Sequence, residues 1–133
     1  MMNLKILIVD DEPCVCESIA LILGACGYSI DTANNGEEAL TICQTKRFDL
    51  ILTDMRMPGM NGQQLLKELR AINPSQRVIL VTAFPSWEAL ALFDGVVTKP
   101  FSIRDLRNRV SAALEAHHTA LHPLNVPSQR TRA

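Results

Sequence analysis

The sequence predicts an α/β fold, a mostly parallel sheet with helices on both faces, and three observations carry that prediction. Short apolar runs alternate five times with segments of helical period, the pattern of strand–helix crossover units. The 133 residues suit one core, since single domains span roughly 100–200 residues. Charged and hydroxyl residues gather where the apolar runs stop, at the strand ends where such sheets collect functional groups.

The first run, Leu4–Val9, ends at Asp10-Asp11-Glu12, and its β-branched content marks a buried strand. Pro13 suits a first helical position. Val15, Ile19, Ile22, Leu23 and Cys26 then recur at helical spacing, with Gly27 as the stop. Tyr28–Ala33 reads as a second strand near a sheet edge, because Ile30 is flanked by polar residues. Asn35 and Glu38 match a capping box opening a helix through Ala39, Leu40 and Cys43.

Asp49–Thr53 is the third strand and ends at Asp54. Met57-Pro58-Gly59-Met60-Asn61-Gly62 is turn chemistry. Leu65, Leu66, Leu69 and Ile72 form the next helical face, closed before Pro74. Val78–Val81 is the fourth strand and delivers Thr82. Ser86–Phe93 is a short helical stretch whose Trp87, Leu90 and Phe93 are expected to pack on the sheet. Gly95–Thr98 leads to Lys99-Pro100, and Ser102 with Asp105 opens a last helix carried by Ile103, Leu106, Val110 and Leu114. Arg104, Arg107 and Arg109 read as its solvated face. Periodicity fades after about residue 117, so 1–116 is expected to be the domain and 117–133 a flexible tail or helix extension.

Composition narrows the function classes. At 47% hydrophobic and 20% charged residues, the chain is not disordered. A net charge of −1, from 13 basic and 14 acidic residues, argues against a nucleic-acid-coating or membrane-surface protein. The N-terminal apolar run is too short for a signal peptide or membrane span. Cys14 and Cys16 project to opposite sides of a helix, and no C-x-x-C accompanies Cys26 and Cys43. Free thiols in a reducing cytoplasm are the expectation. His117, His118 and His122 lack acidic or thiol partners and read as tail composition rather than a metal site.

Asp10, Asp11, Glu12, Asp54, Thr82 and Lys99 all stand at strand ends. If the first and third strands are neighbours, their carboxylates converge, and converging like charges either raise one another's pKa or recruit a cation. Mg²⁺ suits an all-oxygen set and leaves room for a phosphate oxygen. With a hydroxyl and an ammonium added, the set has what phosphoryl transfer needs. Acids at strand ends also serve as helix-start chemistry, and Glu12 is read that way. That account does not cover the whole set.

Val9-Asp10-Asp11-Glu12, Thr53-Asp54-Met55-Arg56-Met57-Pro58-Gly59-Met60-Asn61-Gly62, Val81-Thr82-Ala83 and Thr98-Lys99-Pro100-Phe101 together resemble the receiver domain of bacterial two-component response regulators. The resemblance covers about residues 4 to 116. It implies a flavodoxin-like, doubly wound five-stranded parallel sheet of order 2-1-3-4-5 with helices on both faces. It implies Asp54 as the phosphoacceptor, fed by a histidine kinase or phosphotransfer protein. It also implies Mg²⁺ held by Asp11, Asp54 and the Arg56 backbone carbonyl, with Asp10 acting mainly through a metal-bound water. Lys99 would pair with the carboxylate and then the phosphate, Thr82 would swing to a phosphate oxygen, and Lys99–Pro100 would be cis. Such a protein would catalyse only its own phosphorylation and dephosphorylation. It would signal in the cytoplasm by contact with a downstream protein, with a homodimer as a further expected contact and no DNA-binding domain in this chain.

The chain departs from that family in one region. Thr82 to Lys99 spans 17 steps, several fewer than usual, so a shortened fourth helix is expected. Val96 stands three before the lysine, where the family usually carries an aromatic switch residue. A non-standard output surface follows. Phe84 and Arg56 flank the path of an attacking water in the resemblance. Three rivals stand beside the switch. A haloacid dehalogenase-type phosphohydrolase needs a carboxylate where Arg56 stands, and an FMN binder needs a Gly-rich loop where the acids stand. The third is a receiver-like interaction module that takes no phosphate.

Overall fold

Five parallel strands pair in the order β2-β1-β3-β4-β5 in the computed structural model, which describes residues 3–120, with the backbone alone for 116–120. The elements run β1 (Lys5–Val9), α1 (Pro13–Ala25), β2 (Ser29–Ala33), α2 (Gly36–Cys43), β3 (Leu50–Thr53), α3 (Gly62–Ile72), β4 (Val78–Thr82), α4 (Trp87–Leu92), β5 (Gly95–Thr98) and α5 (Ile103–Ala120). This is the expected flavodoxin-like order, and α4 is the shortest helix at 6 residues. The expected tail beyond Ala120, and the side chains of His117, His118 and His122, lie outside the described residues.

The sheet divides two cores because successive strand residues face opposite sides. Ile6, Ile8, Leu50, Leu52, Ile79, Val81 and Val97 face α1 and α5, meeting Cys16, Ile19, Leu23, Leu106 and Val110. Leu7, Val9, Ile51, Val78 and Leu80 face the other way, onto Ala39, Leu65, Leu66, Leu69 and Ala89. The three inner strands are buried except for Lys5 at the start of β1, which is why their sequences are apolar apart from Lys5 and the terminal Thr53 and Thr82.

Helix starts are set by short polar side chains. Asn35 accepts from Glu38 N, while the Glu38 carboxylate reaches one residue further back, to Asn34 N, so the box closes on Asn34. A full capping box that the turn reading passed over joins Asn61 and Gln64. Ser86 and Ser102 cap α4 and α5. Glu12 holds the N-cap position of α1, but its side chain makes no cap bond, so helix-start chemistry is corrected to a backbone role. Gly27, at φ +100, closes α1 in a conformation that side chains disfavour.

Three terminal residues of the expected apolar faces, Cys26, Ile72 and Ile103, are exposed, because a helix end overhangs the sheet. The larger correction concerns α4. Trp87 is 85% exposed and Leu90 53%, whereas Phe93 is buried. Phe93 leaves the helix in an extended conformation, φ −95 and ψ 158, so it does not share a face with Trp87 and Leu90. Ala89 takes the buried position. The short α4–β5 connection is pinned by Asp94, which accepts from Arg70, Arg77 and Val78 N at 2.7–3.2 Å.

Candidate functional site

The sheet order itself assembles the site. β1 lies between β2 and β3, and both ladders continue one residue past the strands: Asp54 N donates to Val9 O at 3.1 Å on the β3 side, and Asp10 N to Ala33 O at 3.1 Å on the β2 side. On the other side β4 lies beside β3, and Lys99 N donates to Thr82 O at 2.8 Å. Asp10, Asp54, Thr82 and Lys99 therefore stand in a row at the carboxyl edge.

Carboxylate oxygens of Asp10, Asp11 and Asp54 all lie within 4.8 Å of one another. Asp10 is buried, Asp54 half-buried and Asp11 exposed, so the cluster opens to solvent on the Asp11 side. Asp10 Oδ1 accepts from Glu12 N at 2.9 Å, and Asp54 Oδ1 from Met55 N at 2.7 Å. Their second oxygens share one cation, with Lys99 Nζ 3.2 Å from Asp10 and 3.4 Å from Asp54.

The electrostatics follow from that geometry. Burial raises the Asp10 pKa above its ordinary value, with Asp54 adding to the effect, against the Glu12 N–H and the Lys99 charge. Burial works against the Lys99 charge, but the two carboxylates outweigh it and hold its pKa above the usual lysine value. One ammonium for three carboxylates leaves a negative, all-oxygen pocket, the donor set that a hard divalent cation takes. Cys16 lies beneath, donating to Asp10 O at 3.4 Å. Burial, with Asp10 nearby, pushes its thiol up to about 11.

The loop after β3 is held against the site by close packing. Gly62 N donates to Met55 O at 2.8 Å, and a Cβ at Gly62 would overlap Asp54 O. Gly59 turns the loop at φ +80. Arg56 and Phe84 meet across the mouth: the guanidinium lies 5.2 Å from the ring centroid. The Thr82 side chain is buried, and its hydroxyl accepts from Phe84 N at 3.3 Å. The Arg56–Phe84 contact was not legible in the sequence, since the two sit on different loops. Val96 is half-buried against the α2–α4 side of the core, and Lys99–Pro100 is cis.

The family model described as "Response regulator receiver domain" matches residues 6–111. Sporulation initiation phosphotransferase F of Bacillus subtilis is 38% identical over 119 residues, covering 86% of this chain and 96% of that protein. Regulatory protein VanRB of Enterococcus faecalis is 33% identical over 117 residues, 85% of this chain and 53% of its own length. The chain spans about half of that relative and 28% of the Escherichia coli transcriptional regulatory protein ZraR. Among solved structures, a CheY-like receiver domain protein of Methanospirillum hungatei superposes with a TM-score of 0.84 at 30% identity, over 90% of this chain and 99% of that one. The Thermotoga maritima response regulator TrrA, solved in complex with Mg(2+)-BeF, gives 0.77 at 36% identity, over 84% and 99%. Among the described residues no helix is long and apolar enough to cross a membrane. With its acid, hydroxyl and ammonium groups at the strand ends of this sheet, the chain belongs to the response regulator receiver domains of two-component systems.

Proposed function

We propose that the protein is a phosphorylation switch whose acceptor is Asp54, charged by a histidine kinase or phosphotransfer protein and read out by protein contact. The observation that carries the reading is the sharing of Lys99 Nζ between Asp10 and Asp54 beside an acidic cluster open on the Asp11 side. A cation already placed on the acceptor is positioned to follow the charge onto a phosphoryl group. The near-full-length relative named a phosphotransferase supports a place in a phosphorelay.

In the transfer, a carboxylate oxygen of Asp54 attacks phosphorus. A P–O bond forms as the P–N bond of the donor phosphohistidine breaks, and the electron pair leaves with the imidazole nitrogen. Mg²⁺, held by Asp10, Asp11, Asp54 and the Arg56 backbone carbonyl, would supply charge neutralisation at the phosphoryl oxygens. Asp10 would act mainly through a water on that ion. Lys99 passes from carboxylate to phosphoryl oxygen, and the Thr82 hydroxyl donates to another. Residues 1–116 form the working unit in this reading.

Incubation with phosphoramidate tests it. A label that hydroxylamine removes, as expected of an acyl phosphate, should form with Mg²⁺ and fail to form with chelator. Label formation that ignores chelation would overturn the metal-dependent reading. Absence of label with every donor would leave the interaction-module alternative, which Val96 and the six-residue α4 keep in play.

A further inference from the structure

We infer that Cys16 is a positioning residue for the cation site: its thiol holds the peptide between Asp10 and Asp11 at the angle that aims both carboxylates at one ion. The inference rests on the Mg²⁺ part of the switch reading above. Cys16 lies in the first turn of α1, where its N–H donates to Glu12 O at 3.1 Å, and it is 4% exposed. Its Sγ stands 3.4 Å from Asp10 O and 4.0 Å from Ala33 O. A thiol has one proton to donate, and the two oxygens do not compete equally for it. Ala33 O already accepts from Asp10 N at 3.1 Å, whereas among the described residues no other donor reaches Asp10 O. The proton belongs to Asp10 O.

Asp10 O shares one planar peptide unit with the nitrogen and Cα of Asp11, so the angle of that carbonyl sets where the Asp11 side chain leaves the backbone. Asp10 has further restraints, since Glu12 N and Lys99 Nζ hold its carboxylate at 2.9 and 3.2 Å. Asp11 has no such help. It is exposed, and among the described residues its carboxylate makes no hydrogen bond, yet it lies within 4.8 Å of those of Asp10 and Asp54. Its backbone places it there. The thiol suits the task because it packs in the apolar core on the α1 side of the sheet and still supplies a donor. Without that donor the buried carbonyl is left unpaired, a state that folded chains avoid by turning the group to another partner. Such a turn would swing Asp11 off the cluster and weaken its hold on the ion.

Mg²⁺ is titrated into the isotope-labelled wild type, Cys16→Ala, Cys16→Ser and Ile19→Val, and Kd is read from the amide resonances of Asp11 and Met55. Ile19, one turn along the same buried face of α1 and 1% exposed, controls for lost packing alone. Cys16→Ala is expected to bind Mg²⁺ about three- to tenfold more weakly, at or below the low end for partners of metal ligands because a thiol is a weak donor. Cys16→Ser keeps a donor and should stay within about twofold of the wild type. Ile19→Val should lower the urea midpoint in chelator and leave Kd unchanged. A Cys16→Ala affinity equal to that of the wild type would overturn the inference. So would a Cys16→Ser variant no better than Cys16→Ala, or an Ile19→Val variant as weak as either. Intact mass after phosphoramidate separates this inference from the switch: a wild type that binds Mg²⁺ but gains no phosphoryl group would remove the switch and leave the role of Cys16 standing. A wild type that binds no Mg²⁺ would overturn the inference outright.

Discussion

Lys99 and Asp10 stand 89 positions apart in sequence, yet Nζ and Oδ2 are 3.2 Å apart at the carboxyl edge of the sheet. Asp10 is 1% exposed, and without Lys99 its charge would face that of Asp54 uncompensated. Lys99→Met is expected to cost about 1–3 kcal/mol in metal-free buffer. The cost should shrink in saturating Mg²⁺, because the carboxylates then have another cation. Adding Asp10→Asn should return part of the loss. Urea midpoints with and without Mg²⁺ check this, and an equal loss in both buffers would contradict the shared-cation account.

Mg²⁺ alone should stabilise the protein. A ligand bound only by the folded state contributes about 2.7 kcal/mol at a hundredfold excess over Kd. Asp11→Asn, which removes the exposed corner of the cluster, is expected to lose most of the thermal shift. A shift unchanged in that variant would place the ion elsewhere.

Gly62→Ala tests how the loop holds the acceptor. The added methyl would overlap Asp54 O and lie 2.9 Å from Met55 Cα. Backbone on both sides leaves it no room to yield. A loss of about 1–3 kcal/mol is expected, together with slower phosphoryl uptake. A variant of wild-type stability and uptake would show that the loop position does not set the Asp54 geometry.

The cysteines should label in order of burial and ionisation. A Cys16 pKa raised from 9.0 to about 11 leaves on the order of a hundredfold less thiolate at pH 8. Exposed Cys14 and Cys26 should react with iodoacetamide first, and Cys16 only on unfolding. The folded state also keeps the Cys16 proton to higher pH than the unfolded chain. Its contribution to stability is therefore present below pH 9 and is lost as pH rises towards 11. Cys16→Ser should flatten stability between these values.

How legible the molecule is from sequence depends on the range of the interactions. Asp10, Asp11, Asp54, Thr82 and Lys99 were legible because each ends an apolar run, and parallel strands bring their ends to one edge. That helices cover both faces of the sheet was legible in the apolar runs of β1, β3 and β4, which a strand buried on both sides requires. The face of α4 was not. Six residues make less than two turns, so the spacing of Trp87, Leu90 and Phe93 resembles a helical stripe although Phe93 lies outside the helix. The Asn61–Gln64 box was hidden because its residues also suit a turn. Asp94 with Arg70 and Arg77, and Arg56 with Phe84, join segments 17 or more residues apart, and no local pattern announces such pairs.

The claim that Asp54 accepts the phosphoryl group is tested most directly by intact mass after incubation with phosphoramidate and Mg²⁺, wild type beside Asp54→Ala. The wild type is expected to gain one phosphoryl group and Asp54→Ala none. A gain that survives in Asp54→Ala, or a wild type that gains nothing, would contradict the account.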